Sequence, residues 1–190
     1  MLRLGKATLV AIGCVVLFAT AAIATTIHGP ADLASLTRAA DVVLRAKVTS
    51  RETHWGAGGP SSGLIFTSVQ LESIDQWKGE KTAAKIAVLV AGGELGELSQ
   101  QVVGTPIFAE NEEVVVFLRK RAPATKEHLA VYEVSHWALG KFSVGSATPG
   151  SQARAMRDRS GVECVGCAPS EEDVLTLDSL RAQVKAAVRP

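Results

Sequence analysis

The 190-residue sequence carries no surplus of charge, with 20 Lys and Arg against 19 Asp and Glu. A nucleic-acid binder needs a basic stripe opposite phosphates, so this balance argues against that class. Aromatic residues make up only 5%, which is low for a platform on which successive bases stack. The three cysteines leave no second pair beside the one Cys-x-x-Cys, and a structural zinc site needs two further ligands. No H-E-x-x-H is present, and none of His28, His54, His128 and His136 pairs with another at i, i+4. There is no Gly-x-Ser-x-Gly, and no nucleophile stands in a recognisable context. The Gly92-Gly93-Glu94-Leu95-Gly96-Glu97 stretch lacks the Lys-Ser/Thr of a phosphate loop, and its two glutamates repel phosphate. Acidic residues are plentiful, but no two identify themselves as an acid and base pair. No internal repeat is visible. The expectation is therefore a non-enzymatic chain with no catalytic residue, no cofactor and no metal.

What is there is a hydrophobic content of 47%, which argues against disorder. The length suits one domain with its own core. Residues 1–24 read as a secretory signal peptide. Arg3 and Lys6 form the positive n-region, and an apolar run follows from Ala7 to Ala24. It closes in Ala22-Ile23-Ala24, an A-x-A cleavage site. Two alternatives stand beside it. One is an uncleaved anchor, although the run is at the lower edge of the ~20 residues a spanning helix needs. The other is lipidation at Cys14, which would cut the apolar run in half. Cleavage leaves a chain beginning Thr25-Thr26-Ile27-His28, with 18 basic and 19 acidic residues and a charge of −1. No later segment is apolar enough to span a bilayer, so no stable membrane anchor is expected. The expected location is secreted or periplasmic.

In the mature chain, residues 32–40 read as a short helix. Asp32 is its N-cap, and Leu33 and Leu36 share a face. From Asp41 the pattern turns to β. Val42–Val48, Ile65–Leu71, Ile86–Val90, Glu113–Leu118 and Leu129–Trp137 read as five strands. The fourth is hydrophobic enough to be buried on both faces, Asn111 before it suits left-handed geometry, and Gly140 reads as a bulge before Phe142 and Val144. Strands at this spacing without intervening helices suggest a barrel or sandwich. Residues 146–169 read as a flexible loop, and Arg154, Arg157 and Arg159 within it as a solvated basic cluster. Ser170-Glu171-Glu172-Asp173 resembles a capping box opening a C-terminal helix over 170–190. Val174, Leu177, Leu180, Val184 and Val188 would form its apolar stripe.

Three groups are candidate sites. Cys164-Val165-Gly166-Cys167 closes a local disulfide, stays idle, or exchanges as a redox pair in an oxidising compartment. It lacks the following His of a haem site and the strand-to-helix setting of a thioredoxin site. His54-Trp55 and His136-Trp137 stand at strand ends. Brought together they form a small polar-aromatic pocket; kept apart, the tryptophans cap the barrel and the histidines are solvated. The loops 56–63, 94–107 and 119–128 are the candidate partner-binding ends.

Ala40-Asp41-Val42-Val43-Leu44-Arg45-Ala46-Lys47-Val48 resembles the first strand of the tissue inhibitors of metalloproteinases, in the netrin-like family. Residues 40–144 also resemble secreted bacterial proteins of unassigned function. The shared marks are Lys78-Gly79, Gly92-Gly93, Asn111-Glu112-Glu113 and Gly140-Lys141-Phe142. The netrin-like resemblance implies a mainly β fold, an OB-like five-stranded barrel over 25–145 with a short N-terminal helix and a C-terminal α-helix. It also implies that a mature N-terminus at Thr25, Thr26 and His28 meets the zinc of an extracellular metalloprotease. The family's Cys-x-Cys is missing at that end. The first expectation is thus a binding module for a protein partner, not nucleic acid. The alternatives are an inhibitor acting through its N-terminus and a redox or metal protein using Cys164 and Cys167.

Overall fold

The computed structural model describes residues 25–28, 31–56, 61–121, 131–145, 151–159, 161–165 and 170–188. Residues 1–24, where a signal peptide is expected, and Cys167 lie outside them. In chain order the strands are β1 (Thr25–His28), β2 (Val42–Trp55), β3 (Ile65–Lys78), β4 (Lys85–Ala91), β5 (Gly93–Leu95), β6 (Leu98–Gln100), β7 (Glu113–Lys120), β8 (Val131–Val134), β9 (Lys141–Gly145), β10 (Arg154–Arg157), β11 (Val162–Val165) and β12 (Val174–Thr176). The helices are α1 (Leu33–Ala39) and α2 (Leu177–Val188). No helix among the described residues is long and apolar enough to cross a membrane.

Five strands close on themselves in the order β2-β3-β4-β8-β7 and back to β2. The β4–β8 pair is parallel and the other four are antiparallel. The fold is mainly β, a closed five-stranded barrel compatible with an OB-like fold, with a short helix before it and a C-terminal helix. Alternation explains the closure. Val42, Leu44, Ala46 and Val48 of β2, Val69 and Leu71 of β3, Val88 of β4 and Val114, Val116 and Leu118 of β7 all face one interior cluster. The intervening residues face a second cluster. Val43, Val115, Phe117 and Phe142 there meet Leu33 and Leu36 of α1 and Leu180 and Val184 of α2. Val114 through Leu118 are each 0% exposed, which is why β7 reads as an unbroken apolar run.

The short motifs of the sequence turn out to be joints of this scaffold. Lys78 Nζ donates to the carbonyls of Thr37, Arg38 and Ala40 at 2.6, 3.2 and 2.7 Å, capping the C-terminal end of α1. Gly79 follows at φ +95°, where a Cβ would lie 2.3 Å from the Asp41 carbonyl oxygen. Asp32 caps the other end of α1, accepting from the Ser35 N–H at 2.8 Å. That bond holds its carboxyl below the ordinary range. Asn111 takes φ 63°, as its side chain allows. Glu113 pairs with Arg45 at 2.6 Å, and Glu112 pairs with Lys141 at 2.6 Å, joining the third motif to the fourth.

Two expectations fail at the C-terminal end. The stretch 146–169 contains β10 and β11 rather than only loop. β10 pairs with β9 and β12, extending the sheet beyond the barrel. The C-terminal helix begins at Leu177, not Ser170. Ser170–Asp173 is a 3₁₀ turn, and Val174–Thr176 is spent on β12. The Asp173 carboxylate pairs with Arg159 at 2.7 Å. Thr176 Oγ1 caps α2 instead, accepting from the Ser179 N–H at 3.2 Å.

The basic cluster is also not a solvated one. Arg154 is exposed, but the Arg157 side chain is 0% exposed. Its guanidinium lies 4.6 Å from the Phe142 ring centre and donates to the Ala31 carbonyl at 3.2 Å. Its nearest carboxylate among the described residues, Asp173, is 3.7 Å away, and its Nε and Nη2 have no hydrogen-bond partner among them. Burial pushes this guanidinium down to about 10. An under-paired buried charge is poor value for stability. We therefore expect Arg157→Met to be neutral or stabilising in urea denaturation, whereas Asp173→Ala loses about 3 kcal/mol by stranding the cation. A loss above about 2 kcal/mol in Arg157→Met would refute this reading of the residue.

Candidate functional site

The barrel's outer face is interrupted between β8 and β9. Both strands pair with the same edge of β7, Leu118 with Val134 and Val116 with Lys141. The residues between them leave the ladder as a turn rather than the simple bulge expected at Gly140. Ser135 N–H donates to the Phe117 carbonyl at 2.8 Å, and the chain then enters a 3₁₀ turn at Trp137–Gly140. Gly140 lets the turn close, because a Cβ there would lie 2.0 Å from the Ser135 carbonyl oxygen. Ala138 N–H donates to the Gly104 carbonyl at 2.9 Å, and Leu139 is fully buried.

This anchoring forces two consecutive side-chain-bearing residues into the left-handed region. His136 and Trp137 both have φ 56°. Such a conformation costs of the order of 1–3 kcal/mol per residue and persists only where the surroundings impose it. Trp137 remains 43% exposed, so the strain does not serve to bury its indole.

The two residues line a groove of about 260 Å³. Phe66 of β3 and Leu89 of β4 contribute to its apolar lining. Arg119 of β7 and Glu133 of β8 stand opposite each other in register, on the side of the ladder away from inward Leu118 and Val134. Arg121 lies 3.9 Å from the same Glu133 carboxylate. His136 Nδ1 shares a hydrogen bond of 2.9 Å with Ser135 Oγ. Burial, and secondarily the Arg119 charge, hold the imidazole below its ordinary pKa.

A second cleft of about 860 Å³ opens at the barrel mouth. Thr53, Thr67 and Val69 of the β2–β3 ribbon line one side, and the segment leading to Phe108 lines the other. Gly93, at φ 142°, packs so closely on the ribbon that a Cβ would lie 2.4 Å from Thr67 Oγ1. Thr105 and Pro106 border both the cleft and the groove. Of the three candidate loops, 94–107 therefore touches both cavities. The described part of 119–128 supplies Arg119 and Arg121 to the groove. The described residues of loop 56–63 line neither, and Gly56 N–H donates to the Leu64 carbonyl at 2.8 Å, closing the ribbon.

The two His-Trp pairs do not share one pocket. His136 and Trp137 line the groove, whereas His54 lies directly across the ladder from groove-lining Phe66. His54 Nε2 is hydrogen-bonded to Ser68 Oγ at 2.8 Å. Trp55 opposes Ile65, is 47% exposed, and belongs to the ribbon end. Thr25, Thr26 and His28 sit in β1, which pairs in parallel with β11, Thr25 beside Val162 and Ile27 beside Cys164. Strand pairing thus holds the segment at which the netrin-like resemblance implies a cysteine brace. Among the described residues, no three His, Cys, Asp or Glu side chains gather as metal ligands.

Phe66 and Glu133 escaped the reading of the sequence, whereas Arg119 and Arg121 fall in the candidate loop 119–128 without having been singled out. Phe66 and Glu133 are outward positions on their strands. Only the closure of β8 onto both β4 and β7 brings them beside Trp137. No protein-family model matches the chain, and no curated protein matches it. The netrin-like resemblance gains no support from them, and what stands is the barrel.

Proposed function

We propose that this protein is an exported, non-enzymatic binding module that takes a protein partner in the outer groove beside Trp137. One observation carries the reading. His136 and Trp137 are held left-handed in succession in the groove's lining while Trp137 stays 43% exposed. Strain of this kind clusters at ligand clamps, and tryptophan is among the residues enriched at binding hot spots.

The test compares two ways of removing the indole. In bait experiments on the native envelope or secretome, wild type recovers a specific partner and both Trp137→Gly and Trp137→Ala lose it. Glycine relieves the left-handed strain and alanine does not. Trp137→Gly is therefore more stable than Trp137→Ala by about 1 kcal/mol, the reverse of the usual order in regular structure. Thermal unfolding of the two variants reads this directly. A partner retained by both variants sinks the reading, and the usual stability order sinks the strain argument.

A further inference from the structure

Resting on that reading, we propose that the groove recognises an acidic polypeptide segment, one apolar side chain lodging between Phe66 and Trp137 and a neighbouring carboxylate meeting Arg119 and Arg121. Among the described residues, the charged and titratable groups facing the groove are Arg119, Arg121, Glu133 and His136. With the imidazole neutral they sum to one positive charge. Glu133 lies between the two arginines, opposite Arg119 in register and 3.9 Å from Arg121. A single carboxylate 3.9 Å from one of the two guanidinium groups leaves donors over, because each guanidinium carries five N–H donors in a planar fork. Arg119 makes no ion pair among the described residues. The groove is electrostatically incomplete, and the missing component is an anion.

The size selects the carrier of that anion. About 260 Å³ falls below the ~300–1,000 Å³ of small-molecule and cofactor sites. It suits side-chain knobs from a chain running across it. A nucleic-acid strand fits less well. Its phosphates need a track of cations and successive stacking rings. Here Glu133 sits in the track's path, and Phe66 and Trp137 are the aromatic side chains bordering the groove.

The experiment selects a displayed library of short random peptides on the full-length protein. Fluorescein-labelled copies of the recovered peptides are then titrated by anisotropy, with labelled oligodeoxythymidine in parallel. We expect enrichment of Asp or Glu beside Leu, Phe or Trp. Binding weakens at least about ten-fold in Arg119→Glu/Arg121→Glu, less in Arg119→Gln/Arg121→Gln, and falls with added salt. Both arginines are exposed, so these variants are expected to fold, which circular dichroism checks. Peptides that need Trp137 but show no acidic bias, or that ignore the arginine variants, overturn this inference and leave the binding-module reading standing. Peptides that still bind Trp137→Gly overturn both. Failure to enrich any peptide, or tighter binding of the oligodeoxythymidine than of every peptide, overturns the acidic-segment proposal.

Discussion

Lys141→Ala is expected to destabilise the fold by about 3 kcal/mol in urea denaturation. Lys141 is a nearly buried lysine at the start of β9, 8% exposed. Its ammonium donates to Glu112 Oε1 at 2.6 Å and to Ser143 Oγ at 3.0 Å, and lies 5.2 Å from the Phe108 ring centre. Removing one partner of a buried pair costs about 3–5 kcal/mol because it strands the other. The lower figure applies because the Glu112 side chain keeps 17% of its exposure. The double variant Lys141→Met/Glu112→Leu, which removes both charges, should recover more than half of the loss.

The same pair has a pH signature. Burial pushes the Glu112 carboxyl up, but the hydrogen bonds from Lys141, Ser143 and the Ala109 N–H outweigh it and hold the group below its ordinary value of 4.5. A carboxyl lowered in the folded state stabilises the fold fully above its unfolded pKa. That contribution is lost as pH falls from there through the folded value. In Lys141→Ala the opposing burial is no longer outweighed by a cation, so the gap between variant and wild type narrows below about pH 4. A gap that stays constant across that window would show that the lysine acts only through packing.

Gly140→Ala should damage stability and binding together. A Cβ at this position would sit 2.0 Å from a backbone oxygen and 2.9 Å from Val134 Cγ1. Backbone cannot step aside like the tip of a flexible side chain. The expected loss is about 3 kcal/mol, at the upper end for overpacking. Relief of the clash opens the 3₁₀ turn and displaces Trp137, so partner recovery falls as well. Gly145→Ala is the control, since its nearest contact would be 3.7 Å away. It should lie within about 0.5 kcal/mol of wild type. A Gly140→Ala protein with wild-type stability and binding would remove the argument that this turn holds the site.

The reach of the sequence can be traced residue by residue. The alternation in β2, β3 and β4 exposed their inward faces because hydrophobic period is a local property. The helix start at Asp32 and the left-handed Asn111 were equally local, each decided within a turn of chain. Arg157 was misjudged because an arginine in a polar stretch reads as solvated. Its burial depends on Phe142, Ala31 and Asp173, which lie far from one another in the chain. The helix start at Leu177 was missed for a related reason. Asp173 pairs with Arg159, fourteen residues before it.

The scarcities of the sequence also divide in this way. Balanced charge and few aromatics are properties of the whole chain, and they describe its average surface. A groove is a local selection from that surface. Barrel closure through β8 sets Arg119, Arg121, Phe66 and Trp137 around 260 Å³. By itself the sequence determined a mainly β chain, barrel or sandwich, with flanking helices, through patterns that short-range geometry enforces. Only the tertiary structure decided which outward side chains meet and which turn is strained. Those depend on strands distant in the chain pairing at one register, which no local pattern encodes.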